Sequence, residues 1–319
     1  MKKSEIRKHY FLDKYVIVSP KRAKRPHETK VAKEERHKKD DCFMCPGGKV
    51  KVIYEIKDGK GGWLVRSIKN IYPALSLDNK YAYGKQEVII ETPDHSKDIH
   101  ELSIEQLKKI LSVYEERTES LSKIKGICYV LVFKNEGGRA GESINHAHSQ
   151  VIALSMVPPV IQEEVVAIEK YMMDNHECPY CKVMKDEKKS PRVAWEDKNI
   201  FILCPFASEF PYEAWILPKR HLGSLHDMTE DEKTSLARAL KHITRKLYSL
   251  DDLSYNYFFH NSLPENNHHM LLRVTPRPNV WAGLELGSGV IINAIPPEDA
   301  AKFYKAKLKS QVKNLVLGR

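Results

Sequence analysis

The chain has 319 residues, of which 42% are hydrophobic and 29% are charged, and its formal net charge is +10. This length favours two domains over one compact core. No apolar run approaches the roughly 20 residues that are needed to cross a bilayer, and the basic N-terminus lacks the apolar stretch of a signal peptide. We therefore predict a cytoplasmic protein without a membrane span.

The excess of Lys and Arg allows a nucleic-acid-binding function. Much of this charge lies in the mixed-sign run "KRAKRPHETKVAKEERHKKDD" at 21–41, which is typical of a solvated surface. No segment resembles a recognition helix, and few aromatic residues lie between the basic ones. A non-catalytic zinc protein that binds nucleic acid is therefore a disfavoured alternative, and we expect no nucleic-acid partner.

In chain order, the first half combines short β-rich segments with one long helical pattern. "YVIV", "KVIYEI", "QEVIIET" and "ICYVLVF" are typical of strands, and "IEQLKKILSVYEERTESLSKI" has the apolar spacing of a helix. The second half repeats this order with "EAWIL", "TEDEKTSLARALKHITRKLYSL" and "YNYFF". Strands that follow one another without helices favour an antiparallel sheet packed with a helix, so we predict an α+β fold.

The two halves also match at a nearly constant spacing. The segment "QEVIIETPDHSKDIHELS" aligns with "YEAWILPKRHLGSLHDMT", and Glu87 then lies 126 residues before Glu213 (213 − 87). The same spacing aligns Asn135 with Asn261. We predict two tandem modules, at 1–160 and 170–319, which are joined by the helical stretch "IQEEVVAIEKYMMDNHE".

Each half carries the same candidate metal ligands in the same order. They are Cys42, Cys45, His95 and His146 in the first half, and Cys178, Cys181, His221 and His269 in the second. Two thiolates and two imidazoles form a closed tetrahedral set for Zn²⁺, whereas a redox CxxC pair has no need of matched histidines. We therefore predict one or two zinc ions per chain.

The sequence leaves parts of this ligand set open. His268 stands beside His269 in "NNHHM" and could replace it. The first histidine of each set could also be an ordinary loop residue that the duplication carries along. The remaining cysteines, Cys128 and Cys204, lie in apolar segments and are predicted to be inert core residues.

The segment "INHAHSQVIA" at 144–153 places three polar residues at alternate positions, which share one face of a strand. His146 belongs to the metal set, but His148 has no role in it. The preceding loop "NEGGRAGES" is rich in glycine, so its backbone N–H groups could approach an anion. Beside such a loop, a neutral His148 could attack phosphorus while Gln150 holds a phosphate oxygen. Alternatively, all three residues line a zinc site. Leu271 matches His148 in the second half, so only one nucleophile is expected per chain.

These motifs resemble those of a known family. His146-Ala147-His148-Ser149-Gln150 is similar to the His-x-His-x-Gln signature of the galactose-1-phosphate uridylyltransferase family, within the histidine-triad superfamily. "CFMCPGG", "NIYPAL" and "AGLELGSGVIINAIPPEDAAK" are similar to other segments of that family, and the likeness covers nearly the whole chain. It implies two histidine-triad-like modules, the first catalytic and the second with a degenerate active site. It also implies a double displacement, in which His148 takes UMP from UDP-glucose and passes it to galactose 1-phosphate.

The resemblance further implies the residues of the site. The ligand set of the first half falls on the family's zinc positions. The positions that contact nucleotide, phosphate or sugar in the family are Arg22, Arg25, Asn70, Asn135, Gly141, Ser143, Gln150 and Glu285. Glu285 matches a glutamate that reaches the hexose from the neighbouring subunit. A homodimer with a shared active site is therefore expected.

Three positions depart from the family pattern. Ala147 stands where many members have Pro, a sugar-contacting Gln falls at Ile291, and a nearby Lys falls at Asn279. The segment "GLELGSGVIIN" instead resembles the branch that includes ADP-glucose phosphorylases, which also has a second Cys2His2 site. The resemblance therefore leaves open both the nucleobase and the acceptor, which is inorganic phosphate in a phosphorylase.

Overall fold

The computed structural model describes residues 3–24, 42–250, 254–263 and 268–307. The strands in these ranges are Glu5–Lys8 (β1), Tyr15–Val18 (β2), Val52–Lys57 (β3), Trp63–Lys69 (β4), Gly84–Ile90 (β5), Tyr129–Glu136 (β6), His148–Leu154 (β7), Val193–Glu196 (β8), Ile200–Leu203 (β9), Ala214–Pro218 (β10), Tyr255–His260 (β11), Leu271–Pro276 (β12) and Ile291–Asn293 (β13). The helices are Ile104–Ser122 (α1), Pro159–Asn175 (α2), Pro179–Glu187 (α3), Glu230–Tyr248 (α4), Gly283–Ser288 (α5) and Pro297–Lys305 (α6).

Ten strands form one large sheet in the order β3-β4-β5-β7-β6-β11-β12-β10-β9-β8. Every neighbouring pair in it is antiparallel. The first five strands come from the first half of the chain and the last five from the second half, and the halves meet where β6 pairs with β11. The predicted α+β class, with two modules of antiparallel strands and a helix, is thus confirmed.

The division of the chain at residues 160 and 170 stays a prediction. The stretch expected to join the modules is helix α2. However, β1 and β2 form a separate three-stranded sheet with β13, so the first strands of the chain pair with one of its last.

Helices α1 and α4 cover one side of the large sheet, which we call the helix face. Each has 19 residues, and their first residues are 126 apart (230 − 104). Both begin in the same way: the hydroxyl oxygen of Ser103 accepts a hydrogen bond from the Gln106 N–H, and that of Thr229 accepts one from the Glu232 N–H. Their apolar sides join the inward residues of both sheet halves in one buried cluster. Each helix therefore follows the amphipathic pattern of its sequence.

The opposite side of the sheet, which we call the site face, is covered by smaller elements. In the first half, Met44 of the CxxC loop packs on Trp63 and Ile68. In the second half, Tyr180 of α3 packs on Trp215 and Leu217. In the described ranges, no helix combines the length and the apolar character that a membrane crossing requires.

The 126-residue repeat holds for the long helices but not for the central strands. Glu87 of β5 accepts a hydrogen bond from Arg117 of α1 at 2.8 Å and so points to the helix face. Glu213, its expected counterpart, instead accepts from Arg273 of β12 at 2.8 Å. Its neighbour Ala214 belongs to the cluster beneath the helices, so Glu213 points to the site face. A shift of one residue reverses the face of a strand, so these two glutamates are not structural equivalents.

Candidate active site and two Cys2His2 clusters

The four candidate ligands of the first half lie together. Nδ1 of His146 lies 3.5 Å from Sγ of Cys42, 3.6 Å from Sγ of Cys45 and 3.3 Å from Nδ1 of His95. For a tetrahedral ion with Zn–S near 2.3 Å and Zn–N near 2.0 Å, ligand atoms are separated by about 3.6 Å for S and N and by about 3.3 Å for two N. The observed distances therefore match a zinc-sized space between the ligands.

The second cluster has the same shape. Sγ of Cys181 lies 3.3 Å from Nδ1 of His221 and 3.7 Å from Nδ1 of His269. The ring planes of the two histidines cross at 84°, against 83° for His95 and His146. Among the described residues, this group contains Cys178, Cys181, His221 and His269. It does not include His268, the alternative ligand.

The ring protons of His146 and His269 are also placed as in metal-binding histidines. Nε2 of His146 lies 2.8 Å from the carbonyl oxygen of Thr92, and Nε2 of His269 lies 2.9 Å from that of Pro218. A carbonyl oxygen only accepts, so Nε2 carries the proton in both rings. Nδ1 then keeps its lone pair toward the thiols, which is the orientation that a metal ligand needs.

His148 begins β7 directly beyond the first cluster, and it is only 5% exposed. Its Nδ1 lies 2.8 Å from the carbonyl oxygen of His146 and must therefore donate a proton to it. Burial, together with the charge of Lys134, lowers the pKa of His148 to about 4. The ring is consequently neutral, and its lone pair is on Nε2.

Gln150 points to the same side of β7 as His148. Its Oε1 accepts a hydrogen bond of 2.8 Å from Nε2 of Gln86 on β5. This contact uses the acceptor of the Gln150 amide and fixes its NH2 group as the end that can donate to a ligand. Strand β6 is the neighbour of β7 at its other edge, and its Phe133 pairs with Gln150. Asn135 lies two residues after Phe133 and therefore points to the same face as Phe133. His148, Gln150 and Asn135 therefore share the site face.

Lys134 supports His148 from the helix face and was not identified from the sequence. Its amine is fully buried and donates to the His148 carbonyl at 2.8 Å and to Glu91 at 2.9 Å. Glu136 lies 3.1 Å away on the same strand. Burial opposes the charge of Lys134, but the nearby carboxylates outweigh burial and raise its pKa well above 10.5. The network fixes the backbone that presents His148.

The glycine-rich loop before β7 folds back on itself. Gly137 has a φ of 81°, and a Cβ there would lie 2.3 Å from Oγ of Ser254, so only glycine fits. The Gly137 N–H donates to the Glu142 carboxylate at 2.6 Å, and the Gly141 N–H donates to the Gly138 carbonyl at 3.0 Å. Gly141 is expected at the substrate from the family resemblance, and its backbone N–H is already used within the loop.

The other expected substrate residues are exposed or make local contacts where the structure describes them. Arg22 and Ser143 are exposed, Asn70 accepts a hydrogen bond from the Tyr72 N–H at 2.9 Å, and Arg25 lies outside the described residues. Glu285 accepts a hydrogen bond from the Ala282 N–H at 2.9 Å, which fixes the start of α5.

A cavity of about 760 Å³ on the site face brings two of the expected residues together. Asn135 and Glu285 both line it, and so does Ile291. Sequence reasoning missed Arg277, whose Nε is buried there and finds no hydrogen-bond partner among the described residues. Because that atom is buried, the cavity offers an unused donor for an anionic group.

The fold and these clusters define a class, the α+β proteins built from two modules of antiparallel strands and a helix, each with a Cys2His2 cluster. Residues 54–158 match the family model described as "Galactose-1-phosphate uridyl transferase, N-terminal domain". The chain is 31% identical to an ADP-glucose phosphorylase of Arabidopsis thaliana, over 94% of this chain and 92% of that protein. It is 29% identical to a galactose-1-phosphate uridylyltransferase of Thermotoga maritima, over 93% and 96%.

A solved structure of an A. thaliana ADP-glucose phosphorylase with bound ADP-glucose superimposes with a TM-score of 0.86 at 30% identity, covering 97% of this chain and 100% of that one. The chain belongs to the galactose-1-phosphate uridylyltransferase family. It is therefore an enzyme of the nucleotidyltransferase kind.

Proposed function

We propose that this enzyme transfers a nucleotidyl group from a nucleotide sugar to a phosphate-bearing acceptor through a covalent adduct on His148. The observation that carries the proposal is the hydrogen bond from Nδ1 to the His146 carbonyl. It leaves Nε2 as the only ring nitrogen with a lone pair. It also provides an acceptor for the Nδ1 proton, which stabilises the positive charge of a ring that is substituted on Nε2.

The two displacements balance without a separate base. In the first, the lone pair on Nε2 of His148 attacks the α-phosphorus, and the bond from that phosphorus to the bridging oxygen breaks. The hexose 1-phosphate leaves with the electron pair of that bond. In the second, a phosphate oxygen of the acceptor attacks the same phosphorus, and the P–N bond returns its electrons to Nε2. The amide of Gln150, oriented by Gln86, would hold the phosphate oxygens in both steps.

Zinc fits both Cys2His2 clusters and would act as a structural ion. Cys42, Cys45, His95 and His146 would hold one ion, and Cys178, Cys181, His221 and His269 the other. A closed set of four protein ligands leaves no open position for substrate. The first ion would fix the start of β7 and hence the position of His148, two residues after His146.

For the substrates, we propose UDP-glucose as donor and galactose 1-phosphate as acceptor. The family model and the T. maritima relative support this choice. In this proposal Asn135 and Glu285 contact the sugar phosphate, and Glu285 does so across a homodimer. The cavity that Asn135 and Glu285 of one chain line supports a shared role within a chain, whereas the contact of Glu285 across a homodimer rests on the family resemblance alone.

A second candidate is phosphorolysis of ADP-glucose, with inorganic phosphate as acceptor. Ile291 favours it, because this aliphatic residue is 5% exposed and packs on Val16 and Val18. By the family resemblance, a sugar-contacting glutamine of the uridylyltransferases falls at this position. The extent of the likeness to the A. thaliana phosphorylase supports it as well.

Intact-mass analysis separates the two candidates. The protein is incubated with UDP-glucose or ADP-glucose, without acceptor, and then weighed beside His148→Ala. A uridylyl adduct on the wild type alone supports the first candidate, and an adenylyl adduct alone supports the second. If neither donor labels the wild type, or if the variant is labelled equally, transfer through His148 is wrong.

A further inference from the structure

A second cavity lies on the helix face, on the other side of the sheet from His148. It has a volume of about 280 Å³ and lies between α1, the start of β6, the short 3₁₀ turn Leu225–Asp227 and the end of β11. Its apolar walls are Ile127, Val130, Val132, Leu225 and Phe259. The proposed transfer reaction uses none of these residues.

The position related to this cavity by the 126-residue repeat is filled by two stacked rings. There, His100 stacks on Tyr248, the last residue of α4, with ring centroids 3.8 Å apart and planes at 19°. At the cavity, His226 of the second half stands where the repeat places His100, but Ser122 of the first half replaces Tyr248 at the end of α1. Serine leaves most of the volume of a tyrosine ring unfilled, and the cavity lies at this position.

Two polar atoms of the cavity lining are buried without a hydrogen-bond partner in the described part of the chain. They are Oγ1 of Thr118 and Oδ1 of Asn261. In α4, the equivalent hydroxyl of Thr244 donates to the Leu240 carbonyl at 2.9 Å. Since buried polar atoms are rarely left unpaired, these two indicate a ligand that brings its own hydrogen-bonding groups.

The charged groups at the mouth select against anions. Glu115 and Glu119 line the cavity, and His226 lies 3.6 Å from the first and 4.0 Å from the second. Each carboxylate also pairs with a lysine outside the wall, Lys233 and Lys123 respectively. The charges nearest to a bound molecule are thus negative, apart from the exposed imidazole of His226.

We propose that this cavity binds a compact aromatic amine, whose ring lies between the apolar walls and whose N–H groups reach Asn261 and the carboxylates. An apolar cavity of about 150 Å³ holds benzene, so a volume of 280 Å³ accommodates a two-ring system. Thr118 would complete the polar contacts. This site is separate from the transfer reaction and does not rest on the proposed function.

The test uses two probes that share one ring system and differ in charge, tryptamine and indole-3-acetate. Calorimetric titration of the wild type should give a Kd of about 1 mM or tighter for tryptamine, and weaker binding for indole-3-acetate. Ser122→Tyr would place a tyrosine ring at the end of α1, as Tyr248 does at the end of α4. This ring should fill the cavity and weaken tryptamine binding at least tenfold. Ser120→Tyr is the matched control, because Ser120 is exposed on the same helix and does not line the cavity.

Thr118→Val provides a second variant that keeps the shape of the side chain. It removes the unpartnered hydroxyl and should weaken binding of tryptamine several-fold. Absence of tryptamine binding to the wild type would show that the cavity holds only water, and unchanged binding to Ser122→Tyr would show that the probe binds elsewhere. Either result overturns the proposal.

Discussion

The two halves of the molecule build the same Cys2His2 cluster and then diverge within two residues of it. After His146 the first half places His148 and Gln150, while after His269 the second half places Leu271 and Arg273. Leu271 is 2% exposed and packs in an apolar cluster, and Arg273 is held by Glu209 and Glu213 at 2.7 and 2.8 Å. The metal cluster can therefore serve folding alone, and the proposed chemistry also needs His148 and Gln150 beside it.

The largest effect is expected for His148→Ala. Without the Nε2 lone pair no covalent adduct forms, so kcat for nucleotidyl transfer should fall by about 10⁴-fold or more. Steady-state assays with both donors measure this loss. The double variant His148→Ala/Leu271→His should remain inactive, because Arg273 is held in its ion pairs and cannot replace Gln150. Restored turnover in the double variant would contradict this account of the second half.

Gln150→Ala should lower kcat by about 10²-fold, since it removes a donor to the phosphate as charge develops there. Gln86→Leu removes the group that orients Gln150, together with the acceptor of the Ala74 N–H, and should have a smaller effect in the same direction. Single-turnover formation of the adduct isolates this step. Equal losses in both variants would indicate that Gln86 itself contacts the substrate.

The first metal cluster should affect both activity and stability, whereas the second should affect mainly stability. Cys45→Ser should lower activity by about 10–100-fold, because it loosens the strand that presents His148. Both Cys45→Ser and Cys181→Ser should lower the thermal midpoint of unfolding, and by similar amounts. Cys181→Ser, however, should change kcat little. Metal analysis of the purified variants, together with thermal unfolding, provides the comparison. Equal activity losses would show that the second cluster also shapes the active site.

Lys134→Met should act mainly on stability. It leaves Glu91 buried without its cation, which costs about 3–5 kcal/mol of unfolding free energy. The double variant Lys134→Met/Glu91→Gln removes the uncompensated charge of Glu91, although not that of Glu136, and keeps an acceptor for Tyr114, so part of the loss should be recovered. Denaturant unfolding measures both. If the double variant is no more stable than the single one, the Lys134–Glu91 charge pair is not the cause.

The sequence allowed the two long helices, about half of the strands and the grouping of the ligands to be predicted, because hydrophobic periodicity and an ordered set of Cys and His are local signals. The register of the repeat within the strands could not be predicted from the sequence. A shift of one residue moves a side chain to the opposite face of a strand, as Glu87 and Glu213 show. Lys134 lacked any local signal, because its partner Glu91 is 43 residues away (134 − 91). Cys128 was predicted to be in the core and is exposed, whereas Cys204 is buried.

In the proposed reaction, one histidine per chain carries the nucleotidyl group. Peptide mapping of the protein after incubation with its donor sugar, under conditions that preserve P–N bonds, tests it most directly. We expect one nucleotidyl group per chain, on the peptide that contains His148, and none in residues 170–319. A second group, or a single group on a histidine of the second half, would contradict it.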